Sequence, residues 1–171
     1  QLFAFNGALM QFLPQDVNVL PPLNYTRFLS LSIWEQLLNP TMLIVRLLYS
    51  FKIRKSGLLH ADKACLYWQT IGRCIEMNTR QYDAAIGYAQ GIPTFYTVDK
   101  VAAKKKLVWI NAEYRLTGKT KVYQSQFYRK CDVIVPVSDS ACKVFSRDVY
   151  PEFKEKMKII WDITDAQMIN R

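Results

Sequence analysis

The chain has 171 residues, enough for one domain, and half of them are hydrophobic, which excludes an intrinsically disordered chain. The formal net charge of +9 is concentrated between residues 100 and 130, which hold nine Lys or Arg and a single acid, Glu113. A basic field of this kind favours an anionic partner: phosphate, nucleic acid or acidic lipid headgroups.

The cysteines and the histidine argue against a zinc site. Cys65, Cys74, Cys131 and Cys142 form no CxxC pair, and His60 is the single histidine, so the usual ligand spacing is missing. We interpret the cysteines as buried reduced thiols, which predicts a cytoplasmic protein. His60 stands at a predicted helix start, where a surface or capping role is expected.

The sequence contains no candidate for a membrane-spanning helix. No apolar run reaches the roughly 20 residues that a spanning helix needs. The closest approach to such a run, MLIVRLLYSF at residues 42–51, is interrupted by Arg46 and predicts a packed or surface helix.

The first 80 residues predict short strands followed by helices. Residues 1–5 (QLFAF) and 17–20 (VNVL) are strand candidates, with a turn at residues 14–16 between them and Pro21-Pro22 as the end of the second. Residues 32–51 are helical in composition, with a break at Asn39-Pro40. Residues 59–78 predict a helix whose buried stripe consists of Ala64, Trp68, Ile71 and Ile75.

The second half of the chain alternates apolar runs with helical segments. The runs are residues 83–89 (DAAIGYA), 106–110 (KLVWI), 132–137 (DVIVPV) and 158–161 (KIIW). None of them alternates cleanly between polar and apolar residues, which is typical of strands covered on both faces. The predicted fold is therefore α/β, a Rossmann-like three-layer domain with a mostly parallel sheet.

Three loops would follow the carboxyl ends of these strands, where such folds bind ligands. Gly91 and Pro93 in the first loop either turn the chain into a helix or bind a ligand. In the third loop, Ser138 or Asp139 suits a helix N-cap as well as a binding role. Asn111 and Glu113 in the second loop have no obvious structural duty, which makes them the stronger functional candidates. No GxGxxG, GxxxxGK[ST] or GxSxG motif occurs in the chain.

Three blocks in sequence order resemble the first domain of family-4 glycosyltransferases, which are retaining enzymes of the GT-B fold. The blocks are YDAAIGYAQGIPTFYTVDKVAAKKKLVWINAEYR, YRKCDVIVPVSDSACKVF and PEFKEKMKIIWDITD. The resemblance covers residues 82–165 well and residues 1–20 loosely. It implies one acceptor-side domain over residues 1–165 that lacks its first strand and Gly-Gly loop. Residues 166–171 would then begin the linker to a donor-binding domain beyond Arg171.

The resemblance also implies a reaction and its participants. A hexose would pass from a nucleotide-diphosphate sugar to a polysaccharide or lipid-linked acceptor, in polysaccharide biosynthesis for the cell envelope. This domain would hold no cofactor and no metal, and alone it should not transfer sugar.

Candidate site residues follow from the same blocks. Asn111 stands where the family often has a histidine, and Glu113 stands at the family's acidic position; these two are the implied catalytic residues. An asparagine side chain hydrogen-bonds but cannot act as an acid or base. The implied acceptor-binding residues are Gln90, Gly91, Tyr114 and Ser138.

The lysine run is expected to finish a helix and start a strand, far from the cleft. Lys104, Lys105 and Lys106 would join five further bases in a basic face for the anionic inner surface of the membrane. Those five are Arg115, Lys119, Lys121, Arg129 and Lys130. A solvated helix face is the alternative.

Two other functional classes remain open at this stage. A nucleic-acid-binding module would use the aromatic residues interleaved with the bases as stacking platforms, although no recognised motif supports it. Those residues are Trp109, Tyr114, Tyr123, Phe127 and Tyr128. A non-catalytic scaffold would explain the missing histidine at position 111.

Overall fold

The computed structural model describes residues 11–54, 59–111, 116 and 118–161. Its helices and strands, in chain order, are α1 (Asn24–Ser30), α2 (Ile33–Leu37), α3 (Pro40–Arg54), α4 (His60–Ile71), β1 (Asn78–Gly87), α5 (Ile92–Lys100), β2 (Val101–Ile110), α6 (Gly118–Lys130), β3 (Val133–Pro136) and α7 (Asp139–Val144). Short 3-10 or π turns follow α4 and α7.

The three strands form one parallel sheet in the order β1-β2-β3, and helices flank it. Gly87 of β1 is in register with Val108 of β2, which is in register with Ile134 of β3. Parallel neighbours need a crossover, and α5 and α6 supply the two crossovers. The predicted α/β, Rossmann-like three-layer fold is confirmed.

The strands predicted at residues 83–89, 106–110 and 132–137 are confirmed, with different ends. β1 and β2 begin earlier than predicted, at Asn78 and Val101. The expectation that the lysine run finishes a helix is therefore wrong. Lys105 and Lys106 pair with Ala84 and Ala85 of β1, and this pairing holds the segment in a strand.

The strand predicted at residues 17–20 is wrong, because the segment lies outside the sheet. The turn before it is confirmed, with the Val17 N–H donating to the Pro14 carbonyl at 3.1 Å. The strand predicted at residues 1–5 lies outside the described residues. Residues 158–161 run beside β3 without forming a named strand: Lys158 N–H donates to Ile134 O at 2.9 Å.

The helices predicted at residues 32–51 and 59–78 are confirmed, and the second is shorter than predicted. Residues 32–51 form α2 and α3, separated near Asn39 as predicted. The helix predicted over residues 59–78 ends at Ile71, because the chain turns at Gly72 to enter β1. Trp68, Ile71 and Ile75 are buried as expected, and Ala64 is half-buried.

The centre of the core lies where α4, α5 and α6 meet. Phe95 of α5 is fully buried there, with its ring centroid 4.3 Å from that of Phe127 and 6.0 Å from that of Trp68. The Trp68 indole N–H donates to Asp99 at 3.2 Å, so the polar edge of this large ring is satisfied. These contacts fasten α5, and hence its amino-terminal end, to the rest of the domain.

All four cysteines are free, as predicted; Cys65 and Cys131 are buried, and the other two are half-buried. Burial raises the pKa of the Cys65 thiol and that of the Cys131 thiol to about 11, above the ordinary value of 9.0. Between pH 9 and 11 the unfolded chain therefore loses protons that the folded chain keeps, so stability is complete below pH 9 and falls as the pH rises.

We expect each buried thiol to cost about 1.4 kcal/mol of unfolding free energy at pH 10. Urea unfolding at pH 8 and pH 10 measures this loss. In a Cys65→Ala/Cys131→Ala variant the loss between the two pH values should shrink by roughly 2.5 kcal/mol. An unchanged loss would show that these thiols do not control the alkaline transition.

Candidate functional site

The carboxyl ends of the three strands form one edge of the sheet, at Gly87, Ile110 and Pro136. The loops that follow are therefore neighbours. Val137 N–H, just past β3, donates to the Ile110 carbonyl at 3.3 Å, which continues the ladder to this edge. In open parallel sheets this edge is where ligands bind.

Asn111 joins the loops that follow β1 and β2. Its side-chain amide Nδ2 donates to the Tyr88 carbonyl at 2.9 Å, and its backbone N–H donates to Oε1 of Gln90 at 3.2 Å. The expectation that Asn111 has no structural duty is wrong: its side chain holds the neighbouring loop. The contact spans 23 residues of sequence, so no local pattern indicates it.

Gly91 turns the chain from this loop into α5. Its φ of 77° lies in the left-handed region, and Pro93 stands in the first helical turn. Thr94 Oγ1 donates to the Ala89 carbonyl at 2.8 Å and closes the turn. The structural interpretation of the Gly91–Pro93 segment is confirmed; a binding role for Gly91 stays a prediction.

Helix α5 lies unusually close to β1. A Cβ at Gly87 would stand 3.1 Å from the Pro93 carbonyl oxygen and 3.1 Å from Thr97 Oγ1. Only a glycine allows this approach without displacing the helix. The loop between β1 and α5, which carries Gln90, is thus short and fixed at both ends.

Ser138 lies at the same edge and caps α7. Its hydroxyl oxygen accepts a hydrogen bond from Ala141 N–H at 3.1 Å, so the predicted capping role is confirmed. The predicted residues Glu113 and Tyr114 lie outside the described residues, as does the side chain of His60. Gln90, Gly91 and Asn111 are therefore the predicted site residues that the structure brings together.

The lysines of the expected basic face do not form one face. Lys104 and Lys105 are consecutive in β2 and so point to opposite sides of the sheet. Lys104 forms an exposed ion pair with Asp83 at 2.7 Å, and Lys106 Nζ donates to the Val98 carbonyl at 2.5 Å. Burial lowers the pKa of Lys106.

On α6, Lys119 is exposed, whereas Lys121 lies over the Tyr150 ring with its Nζ 5.8 Å from the centroid. Being two residues apart on a helix, they point in nearly opposite directions. Strand and helix geometry therefore divide these lysines, and their contact with an anionic membrane stays a prediction.

A cleft of about 500 Å³ beside β1 was not predicted from the sequence. It runs along β1 and α5 up to Tyr88, whose carbonyl accepts the hydrogen bond from the Asn111 side chain. Its polar and aromatic lining includes Asn18, Asn78, Arg80, Tyr82, Tyr88 and Tyr96. The available signal was the spacing by two of Tyr82, Ala84 and Ile86, which places them on one side of a strand.

The tyrosines of the cleft present both rings and hydroxyls. Tyr88 is 64% exposed, and its ring centroid lies 5.7 Å from that of the buried Trp109. Asn78 Nδ2 donates to the Tyr82 hydroxyl at 3.1 Å. Burial, reinforced by the charge of Glu76, raises the pKa of the Tyr96 hydroxyl to about 12.

The part of the chain that the structure describes contains no group of three or more His, Cys, Asp or Glu side chains placed to hold a metal ion. None of its helices combines the length and apolar character that crossing a bilayer requires. Comparison of the chain with protein-family models, with curated proteins and with solved structures finds no match.

Proposed function

We propose that the chain is the acceptor-side domain of a retaining glycosyltransferase of the GT-B type. The observation that carries the proposal is the cleft along β1, which ends at the carboxyl edge of a parallel sheet. The resemblance of residues 82–165 to family-4 glycosyltransferases supports it independently. The enzyme would work in the cytoplasm, at the inner face of the membrane, on a polysaccharide or lipid-linked acceptor.

The lining of the cleft suits a carbohydrate. The C–H faces of a sugar ring are apolar and pack against aromatic rings, for which Tyr82 and Tyr88 are available. Sugar hydroxyls need donors and acceptors, and Asn18 and Asn78 carry amides able to serve as both. The exposed Arg80 adds a cation for an acidic sugar or a phosphate on the acceptor.

Asn111 would act here as a positioning residue, since an amide neither accepts nor supplies a proton in catalysis. Its two hydrogen bonds keep Tyr88 and Gln90 at the carboxyl edge, next to the cleft. The nucleotide-diphosphate sugar would be held by the second domain. Stabilisation of the departing diphosphate would come from preorganised donors there.

Activity of the chain in its full native reading frame tests the proposal. With a panel of nucleotide-diphosphate sugars and a membrane extract as acceptor source, we expect acceptor-dependent release of nucleoside diphosphate. Asn111→Ala should lower kcat/KM by about tenfold or more, because displaced loops would no longer orient the acceptor for reaction. Ser125→Ala on α6 is the control and should leave kcat/KM unchanged.

Absence of transfer from every donor, in a folded protein, would overturn the proposal in favour of a scaffold. The nucleic-acid alternative is weakened already, because Trp109, Phe127 and Tyr128 are buried. Bases cannot stack on buried rings. Tight, salt-dependent binding of oligonucleotides would revive that alternative.

A further inference from the structure

Helices α2 and α3 expose an unusual amount of apolar surface. Trp34 is 80% exposed and Leu38 is 83% exposed, and both stand among other large apolar side chains that are also exposed. The set, called here the α2–α3 apolar face, consists of Ile33, Trp34, Leu37, Leu38, Ile44, Leu47, Leu48 and Phe51. Large exposed apolar side chains grouped on two neighbouring helices are typical of an interaction site.

The apolar face is an organised surface rather than a scatter of side chains. Ile44, Leu47, Leu48 and Phe51 recur at the spacing i, i+3, i+4, i+7, so they form one stripe of α3. The opposite side of α3 packs inward, with the ring of Tyr49 lying 5.4 Å from that of Tyr67. Helix α3 therefore has two apolar sides, and the core of the domain uses one of them.

The charges beside the apolar face are nearly all positive. Residues 24–54 contain four bases and one acid, Glu35, whose carboxylate accepts the Ser32 N–H and hydroxyl in a capping box. Lys52 and Arg54 are both in the last turn of α3 and flank the stripe; Lys52 is exposed and Arg54 half-buried. Long cationic side chains of this kind reach from an apolar surface towards anionic headgroups.

We propose that the α2–α3 apolar face docks on an anionic lipid bilayer. Helix α3 is 15 residues and so about 22 Å long, and would lie in the interface with its stripe among the acyl chains. Trp34 suits the headgroup level. A second copy of the chain fits less well, because a two-fold contact would offer the four bases of residues 24–54 a single acid, Glu35, which is already bonded to Ser32.

This surface differs from the lysine-rich face predicted from the sequence, and the proposal does not rest on sugar transfer. The chain can dock on lipid whether or not it belongs to a transferase.

Co-sedimentation of the 171-residue chain with vesicles tests the docking. We expect binding to vesicles that contain about a third phosphatidylglycerol in phosphatidylcholine, and much weaker binding to phosphatidylcholine alone. Trp34→Ser/Leu47→Ser/Phe51→Ser should weaken binding to anionic vesicles by roughly 100-fold or more. Lys52→Gln/Arg54→Gln should weaken it by roughly 25-fold, since each cation near the surface contributes about fivefold.

Two controls make the result specific. Val122→Ser removes an equally exposed apolar side chain from α6, and Lys104→Ala/Lys105→Ala removes two cations from β2; both should bind like the unchanged chain. Circular dichroism checks that the serine variant keeps its fold. No binding by the unchanged chain, or equal binding by the serine variant, would overturn the proposal. So would a dimer in lipid-free solution that the serine substitutions convert to a monomer.

Discussion

Phe95→Ala is expected to lower the free energy of unfolding by about 4 kcal/mol, the largest effect that we predict for a single side chain. Phe95 is fully buried and contacts the rings of Trp68, Tyr123 and Phe127. Alanine would leave a cavity among rings that belong to two other helices, α4 and α6, and cannot close together. Urea unfolding followed by circular dichroism measures the loss.

Phe51→Ala is the matched control, because Phe51 is 65% exposed. The same atoms are removed there without leaving a cavity, and the unfolding free energy should change by less than about 0.5 kcal/mol. Phe95→Leu should fall between the two, since leucine refills part of the space. Equal losses for the two alanine variants would contradict the described core.

Gly91→Ala is expected to lower the unfolding free energy by about 3 kcal/mol and to disturb the candidate site. The φ of 77° and ψ of −126° at Gly91 are strained for any residue with a Cβ. The new Cβ would also stand 3.1 Å from the Cβ of Ala64 on α4. Because Gln90 immediately precedes Gly91, the hydrogen bond that the Gln90 side chain accepts from Asn111 N–H should weaken as well.

Gly118→Ala is the control for the loss of a glycine. Position 118 begins α6, and a Cβ added there would meet no neighbouring atom within 4 Å, so alanine should be neutral or slightly stabilising. A Gly91→Ala/Ala64→Gly variant separates strain from overlap when it is compared with Ala64→Gly alone, because a glycine inside α4 itself costs about 1 kcal/mol. If backbone strain dominates, removing the Ala64 methyl will not restore stability; full restoration would assign the cost to the steric contact alone.

Local sequence was sufficient for the features whose partners lie nearby in the chain. Apolar composition was enough to identify residues 106–110 and 132–137 as largely buried strands and residues 83–89 as a strand. The expectation that both faces of each strand are covered is wrong for β1, which is mostly exposed at the edge of the described sheet. The turn at Gly91 and the cap at Ser138 involve contacts a few residues away. These features were enough to predict the fold class and the position of the carboxyl edge of the sheet.

The candidate site was only partly predictable. Gln90 and Asn111 were expected at the carboxyl edge because each follows a predicted strand. The hydrogen bonds of Asn111 to Gln90 and to the Tyr88 carbonyl were not predictable from the sequence, because they join residues 21 and 23 positions apart. The cleft along β1 also required the placement of α5 against Gly87.

The amino-acid sequence alone determined that this protein builds a parallel α/β sheet with polar loops at one edge, because strand composition and turn chemistry act locally. Tertiary structure decided whether segments without a clear local preference for helix or strand joined the sheet. Pairing with β1 makes residues 101–106 a strand, whereas residues 17–20 lie outside the sheet. It also decided which side of α3 is buried and which is exposed, because two apolar sides look alike until one of them has a neighbour.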